Sequence, residues 1–422
     1  MTVRTRETPL LSDRAGSRRA FLAGSLATAV AALTGSAGAT VAHAESRGCC
    51  PTRLGTFEAA PFATPLAGVT AGNQQAMSLA RNSTTIMAAN EAAMAIADAL
   101  TNATLRRTTL DVLRNPAPTY QLKSPTRADK EAVRQELLAA GLITDQVTLE
   151  GIFPPVGDPH EAPQAFWSAP GSTYAGHHSY PGGLVVHSWT NASVAAGWVD
   201  SYDQRYGLVS ESGAVDPSIA TAAPLWHDIN KVTVFQWNDD GSELVEQAIA
   251  DTGGHHPLSG AEAIVRGQPA DFVVALLGAH DPPQSGTSMY RLINYVRAAA
   301  IIARVDPVKS GLLQPWDNPM APAGLGLAQT PARVEAHINH LSDHDFIFSG
   351  DSATLVIQTL RDLAPQYGVD PGAQSARFNL FRNTVLSQLT DMRLYGVIQT
   401  GGQEAVKATI DSAVDLSPLR TS

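Results

Sequence analysis

The sequence predicts an all-α protein. Long stretches rich in Ala, Leu and Met are punctuated by Pro and Gly clusters. Several of them carry apolar residues at helical spacing. There is no repeat, no low-complexity tract and no convincing run of alternating polar and apolar residues to suggest strands. Apolar residues make up 44% of the 422 and charged residues 16%, the balance of a well-packed soluble body.

Taken in order, the chain opens with Ser17-Arg18-Arg19-Ala20-Phe21-Leu22, a twin-arginine run. A weakly apolar stretch rich in Ala, Gly and Thr follows, then Ala42-His43-Ala44, a small-x-small cleavage signal. Residues 1–44 are therefore expected to be a twin-arginine signal peptide. The chain would engage the twin-arginine export machinery and end up periplasmic or secreted, with no membrane anchor after cleavage. Cleavage removes five arginines and two acids, taking the formal charge from −10 to −13. So acidic a body argues against nucleic acid or an anionic membrane as partner. Cys49 and Cys50 are adjacent and are the only cysteines, so no disulfide framework is expected.

Residues 45–71 read as an extended, Pro-containing tail. Residues 72–113 read as one or two long helices, stopped by Pro116 and Pro118. Thr126-x-x-Asp129 is a capping signal opening an amphipathic helix over 126–142. Residues 147–176 form a long Pro- and Gly-containing loop, the length at which loops tend to be functional. These elements make up an N-terminal helical region and loop over 72–170. Helices are expected over 184–199, 217–235, from His255 (with Pro257 in its first turn), 270–279 and 288–305. A polar turn is expected at 238–241. Residues 311–330 read as a Pro/Gly-rich linker, and 331–422 as a C-terminal helical region of four helices.

Trp226-His227-Asp228-Ile229-Asn230-Lys231 is the stretch that carries chemistry. A His and an Asp on an apolar segment are costly to bury unless a charge pairs with them. A divalent metal would do so, since imidazole and carboxylate suit Zn, Mn, Fe and Ni. Further candidates stand along the chain: His178 and His187 flanking Pro181-Gly182-Gly183-Leu184, then His256-Pro257-x-x-Gly260-Ala261-Glu262, His280 and Asp306. Of His255 and His256 either could ligate, and the proline that follows favours His256. Two metals about 3.5–4 Å apart need a bridging carboxylate, and Asp228 is the natural one. A hydroxide held between them would be a strong nucleophile, and Lys231, one turn on, could reach a phosphate oxygen. His177 and His178 suit a pocket wall better than a ligand role. A second cluster, His337, His340 and His344 with Asp343 or Asp345 nearby, shares one helix face. No Gly-x-Ser-x-Gly elbow, Walker loop or dinucleotide fingerprint is present.

In their order and spacing these motifs resemble those of the HD-domain metal-dependent phosphohydrolase superfamily, over about residues 175–310. The resemblance implies an HD-domain helical core over 171–310 with additional N- and C-terminal helices. It implies His187, His227, Asp228 and Asp306 as core metal ligands, and His256 and His280 as the extra histidines of the binuclear branch. The family often has Gly where this chain has Asn230. The expected activity is hydrolysis of a small phosphorylated substrate, a phosphomonoester or phosphodiester and possibly a nucleotide. Asp228 and Lys231 would be the catalytic residues, with His177, His178 and Lys231 contacting substrate. Two alternatives carry the same ligand set: a di-iron, oxygen-using enzyme of HD type, and a non-catalytic protein that keeps metal for stability.

Overall fold

Several helices of this protein begin at side-chain caps that the sequence supplies. The computed structural model describes residues 70–174, 176–284, 286–328, 333–372 and 376–419. The expected signal peptide, Cys49, Cys50 and nearly all of the expected extended tail lie outside these residues. Thr70, Ser83 and Asn102 each accept a backbone N–H three residues on, opening α1 (Ala71–Arg81), α2 (Thr84–Asp98) and α3 (Ala103–Arg114). The stretch expected as one or two helices is thus three. Thr126 and Asp129 form the full capping box of α4 (Arg127–Ala139). A short α5 (Leu149–Ile152) sits within the long loop.

The middle of the chain supplies α6 (Gly183–Tyr206), α7 (Pro217–Trp226), the short α8 (Lys231–Val234), α9 (His255–Val265), α10 (Ala270–Leu277) and α11 (Thr287–Ile302). The single helix expected over 217–235 is broken at His227–Asn230. There, Ile229 N donates to the Trp226 carbonyl and Lys231 N to the Asp228 carbonyl, a tightened i→i+3 turn. The break re-aims Asp228 and brings Lys231 beside it.

The C-terminal part holds α12 (Arg333–Asp343), α13 (Phe346–Leu363), α14 (Ala376–Leu389) and α15 (Asp391–Ala413). Gly402, at φ 65°, kinks α15 where the helices expected over 376–397 and 402–414 meet, and a further division, not expected, falls at Thr390. The region expected as a linker contains a small antiparallel pair, β3 (Leu313–Pro315) with β4 (Leu325–Leu327). A second pair, β1 (Ala248–Ile249) with β2 (Thr252–Gly253), turns through Ala250 and Asp251, both at positive φ. The described residues are therefore mostly helical, with only these two short hairpins.

Helix α6 packs on α2 and α7, and α12 lies against α6, α7 and α10. Their shared core includes Ile86, Leu184, Ala223, Trp226, Val274 and Phe272, all buried. Gly260 lets α9 close on α10 and α11, since a Cβ there would meet Leu277 and Ala299 within about 3.1 Å. Among the described residues no helix is long and apolar enough to cross a membrane.

Candidate metal centre

Three helices and the turns after α7 and α10 converge on a group of histidines and carboxylates, all buried except His280. Each donor is placed by a local feature of the sequence. His187 sits in the second turn of α6, whose start is fixed by Gly182 and Gly183. Gly182 is left-handed at φ 92°, and a Cβ on Gly183 would run into the His178 carbonyl. His227 caps the C-terminus of α7. Its Nδ1 lies 2.9 Å from the Pro224 carbonyl, which can only accept, so Nδ1 carries a proton and Nε2 faces the centre. His255 Nδ1 lies 2.6 Å from Glu246, which orients its ring in the same manner. The β1–β2 hairpin lies between Glu246 and His255.

Two carboxylates tie the donors together. Asp228 Oδ2 is 3.0 Å from His187 Nε2 and 3.2 Å from His227 Nε2, while its Oδ1 is 3.1 Å from His255 Nε2. Asp343 Oδ1 is 3.1 Å from His187 Nε2 and 3.3 Å from His227 Nε2, while its Oδ2 is 3.3 Å from His280 Nε2. His256 meets His280 edge-on and His255 at a tilt, with ring centroids 3.7 and 4.0 Å apart. Two groups of three buried residues could each hold a metal ion: His187, His227 and Asp343, and Asp228, His255 and His256.

The residues fit a metal on three grounds. His227 Nε2, both Asp228 oxygens, His255 Nε2, His256 Nε2 and Asp343 Oδ2 are buried without a well-formed hydrogen bond, although Lys231 Nζ stands 2.5 Å from Asp228 Oδ2. Native proteins seldom leave so many donor atoms unmatched in one place. The N···O separations also suit ligands of a common ion: bonds near 2.1 Å put neighbouring ligands about 3.0–3.4 Å apart in octahedral or tetrahedral geometry. Finally, the two buried carboxylates demand positive charge beside them. Burial alone would lower the His227 imidazole, but Asp228 and Asp343 overcome it and push it up to about 10. Burial opposes ionisation of the two carboxylates too, yet His227, with Lys231 for Asp228, holds both well below the usual range. Burial and its imidazole neighbours hold His256 well below its ordinary value, leaving it neutral and ready to ligate. Protons and Lys231 supply the balancing charge, and a divalent cation would replace the protons.

Asp306 does not join the site, which corrects the expectation drawn from the resemblance. It is exposed after α11, where its carboxylate accepts from the backbone of Val308 and Lys309. Asp343, at the C-terminal end of α12, stands in the position expected of it. His255 and His256 both reach the centre, so the preference for His256 alone is too narrow. His337, His340 and His344 belong to neither metal-competent group among the described residues. His340 Nδ1 instead lies 2.7 Å from the Ala279 carbonyl, and its ring packs at a tilt against His344.

A cavity of about 190 Å³ opens beside the centre, lined by His177, Lys231, His255, His280, Asp343 and Phe346 among others. Lys231 Nζ also donates to the Gly171 carbonyl at 2.6 Å, so two of its three protons are engaged. His177 lines the cavity, whereas His178 is not among its lining residues. His178 is held by Asp391, whose carboxylate takes its backbone N–H at 2.7 Å and faces its Nδ1 at 3.0 Å. His178 is a loop anchor. Asp343 as a core donor, Glu246, Asp391 and Phe346 escaped the sequence reading. Only Asp343 carried a signal, as a neighbour of the second histidine cluster.

No protein-family model matches this chain, and neither the curated proteins nor the solved structures yielded a match.

Proposed function

We propose that the protein is a metal-dependent hydrolase of HD type that cleaves a phosphoester. One observation carries the reading: Asp228 and Asp343 each span the same two sets of imidazoles, His187 with His227 on one side and His255, His256 and His280 on the other. That is the donor arrangement a pair of divalent ions requires. His187, His227, Asp228 and Asp343 would hold the first ion, and Asp228, His255, His256 and His280 the second. When bound, such ions supply Lewis acidity and lower the pKa of water to near neutrality.

The remaining groups act on the substrate directly. Lys231, fixed by Asp228 and Gly171, offers its third proton to a phosphate oxygen in the cavity. His177 and Phe346 form the wall and keep bulk water from the reacting group. The twin-arginine run at Ser17–Leu22 supports export, which would place the substrate outside the cytoplasm.

The test is metal content followed by turnover. The purified protein should carry about two equivalents of Mn, Zn, Ni or Fe and release phosphate from a phosphoester panel. Asp228→Ala should lose both metal and turnover. Full activity in Asp228→Ala sinks the proposal, and iron with oxygen consumption but no phosphate release replaces it with the oxygenase alternative.

A further inference from the structure

A second cavity, of about 430 Å³, lies between α11 and the β3–β4 hairpin and shares no lining residue with the metal centre. It falls within the range of about 300–1,000 Å³ at which small-molecule sites occur. Its floor is apolar, from Met289 and Leu327, both buried. Its sides are aromatic and amide: Tyr290 and Trp316, with Gln314 and Asn318. None of the lining side chains is charged.

The aromatic side is built rather than incidental. The indole of Trp316 lies against Gly326, where a Cβ would stand 3.1–3.2 Å from Trp316 Cβ, Cδ2 and Cε3. A side chain in place of Gly326 would press the ring outward by a few tenths of an ångström. The Tyr290 ring is inclined at 43° to the indole, with centroids 6.2 Å apart, so the two make an open V. Asn318 Nδ2 reaches the Tyr290 hydroxyl at 3.4 Å, and the Asn318 side-chain oxygen accepts from Met320 N. Trp316 is nevertheless 37% exposed.

We propose that this cleft binds a neutral saccharide. A sugar ring presents one face of C–H bonds, which packs on an aromatic plane, and a rim of hydroxyls, which pair with amides and a phenol. The uncharged lining disfavours anionic or cationic ligands, whose desolvation it would not repay. A flat aromatic ligand would use the V but leave the Gln314 amide unused. The cleft lies apart from the hydrolase reading and does not depend on it.

The test is saturation-transfer NMR and intrinsic-fluorescence titration of the full chain with cellobiose and methyl β-glucoside, and with indole as the aromatic comparison. Saturable binding of a neutral sugar is expected. Trp316→Ala should weaken it about tenfold or more, the scale of a lost aromatic stack. Gly326→Ala should weaken it by lifting the indole, while Trp198→Ala, on α6, should leave it unchanged. Circular-dichroism melts of the variants establish that each is folded. Failure of both sugars to saturate, wild-type affinity in Trp316→Ala, or saturation by indole alone overturns the proposal.

Discussion

Asp343 and Asp306 offer a direct trial of the metal centre, because resemblance and geometry disagree about which of them matters. Asp343→Asn keeps the size of the side chain and removes its charge. Asp343 faces His187, His227 and His280 at 3.1–3.3 Å, so the change weakens both sets of imidazoles as a site for cations. Even changes in the hydrogen-bond partners of ligands cost ~10–100-fold in metal affinity, so the upper end is a modest expectation for a ligand. With metal at 100 times its Kd, binding stabilises the fold by ~2.7 kcal/mol; after a 100-fold loss the same concentration gives ~0.4. The difference of ~2.3 kcal/mol corresponds to ~3 °C in Tm for a chain of this size. The assay is thermal melting of wild type, Asp343→Asn and Asp306→Asn, each with and without added Mn²⁺ or Zn²⁺. Wild type and Asp306→Asn should show the same metal-induced rise, and Asp343→Asn should lose most of it. A full rise in Asp343→Asn, or a lost one in Asp306→Asn, would refute the geometry.

Two further outcomes are expected. Glu246→Gln removes the acceptor that orients His255 at 2.6 Å, and should lower affinity for one of two metals by ~10–100-fold, read as a fall toward one equivalent after dialysis. An unchanged stoichiometry after dialysis would mean Glu246 does not support a ligand. Arg382→Ala strands the fully buried Glu243, which Arg382 meets at 2.8 Å, and should cost ~3–5 kcal/mol in urea unfolding; a loss under 1 kcal/mol would mean that solvent reaches the pair.

Much of the helical layout was legible because its signals are local. The capping box at Thr126 and Asp129, Pro217 at the start of α7 and Pro257 in α9 act over four residues, and each helix starts where those residues place it. The break at His227–Asn230 was not legible. Its apolar residues continue the helical pattern, and the turn is held by tertiary contacts such as Asn230 N to Ser259 Oγ at 3.2 Å. Of the residues in the two metal-competent groups, His187, His227, Asp228 and His256 stood out through their order along the chain. Asp343 was missed because a hairpin, β3–β4, intervenes after α11, and only the packing of α12 against α6 and α7 returns its carboxylate to the centre. Glu246 and Asp391 were missed for a related reason. Both act on a histidine across a turn or across the fold, and no short spacing encodes either contact.

The same geometry argues that the C-terminal helices are part of the site. Asp343 supplies a donor from α12, Phe346 at the start of α13 covers the cavity, and Asp391 at the start of α15 pins His178. His178 in turn is what Gly183 packs against, and Gly183 begins the helix that carries His187. A chain of contacts thus runs from α15 through His178 and Gly183 to the helix that carries His187. Folding of the C-terminal region and assembly of the donor set are therefore coupled. A cation that binds only the assembled set must stabilise α12 together with α6 and α7, since none of these helices alone brings together more than a fraction of the donors.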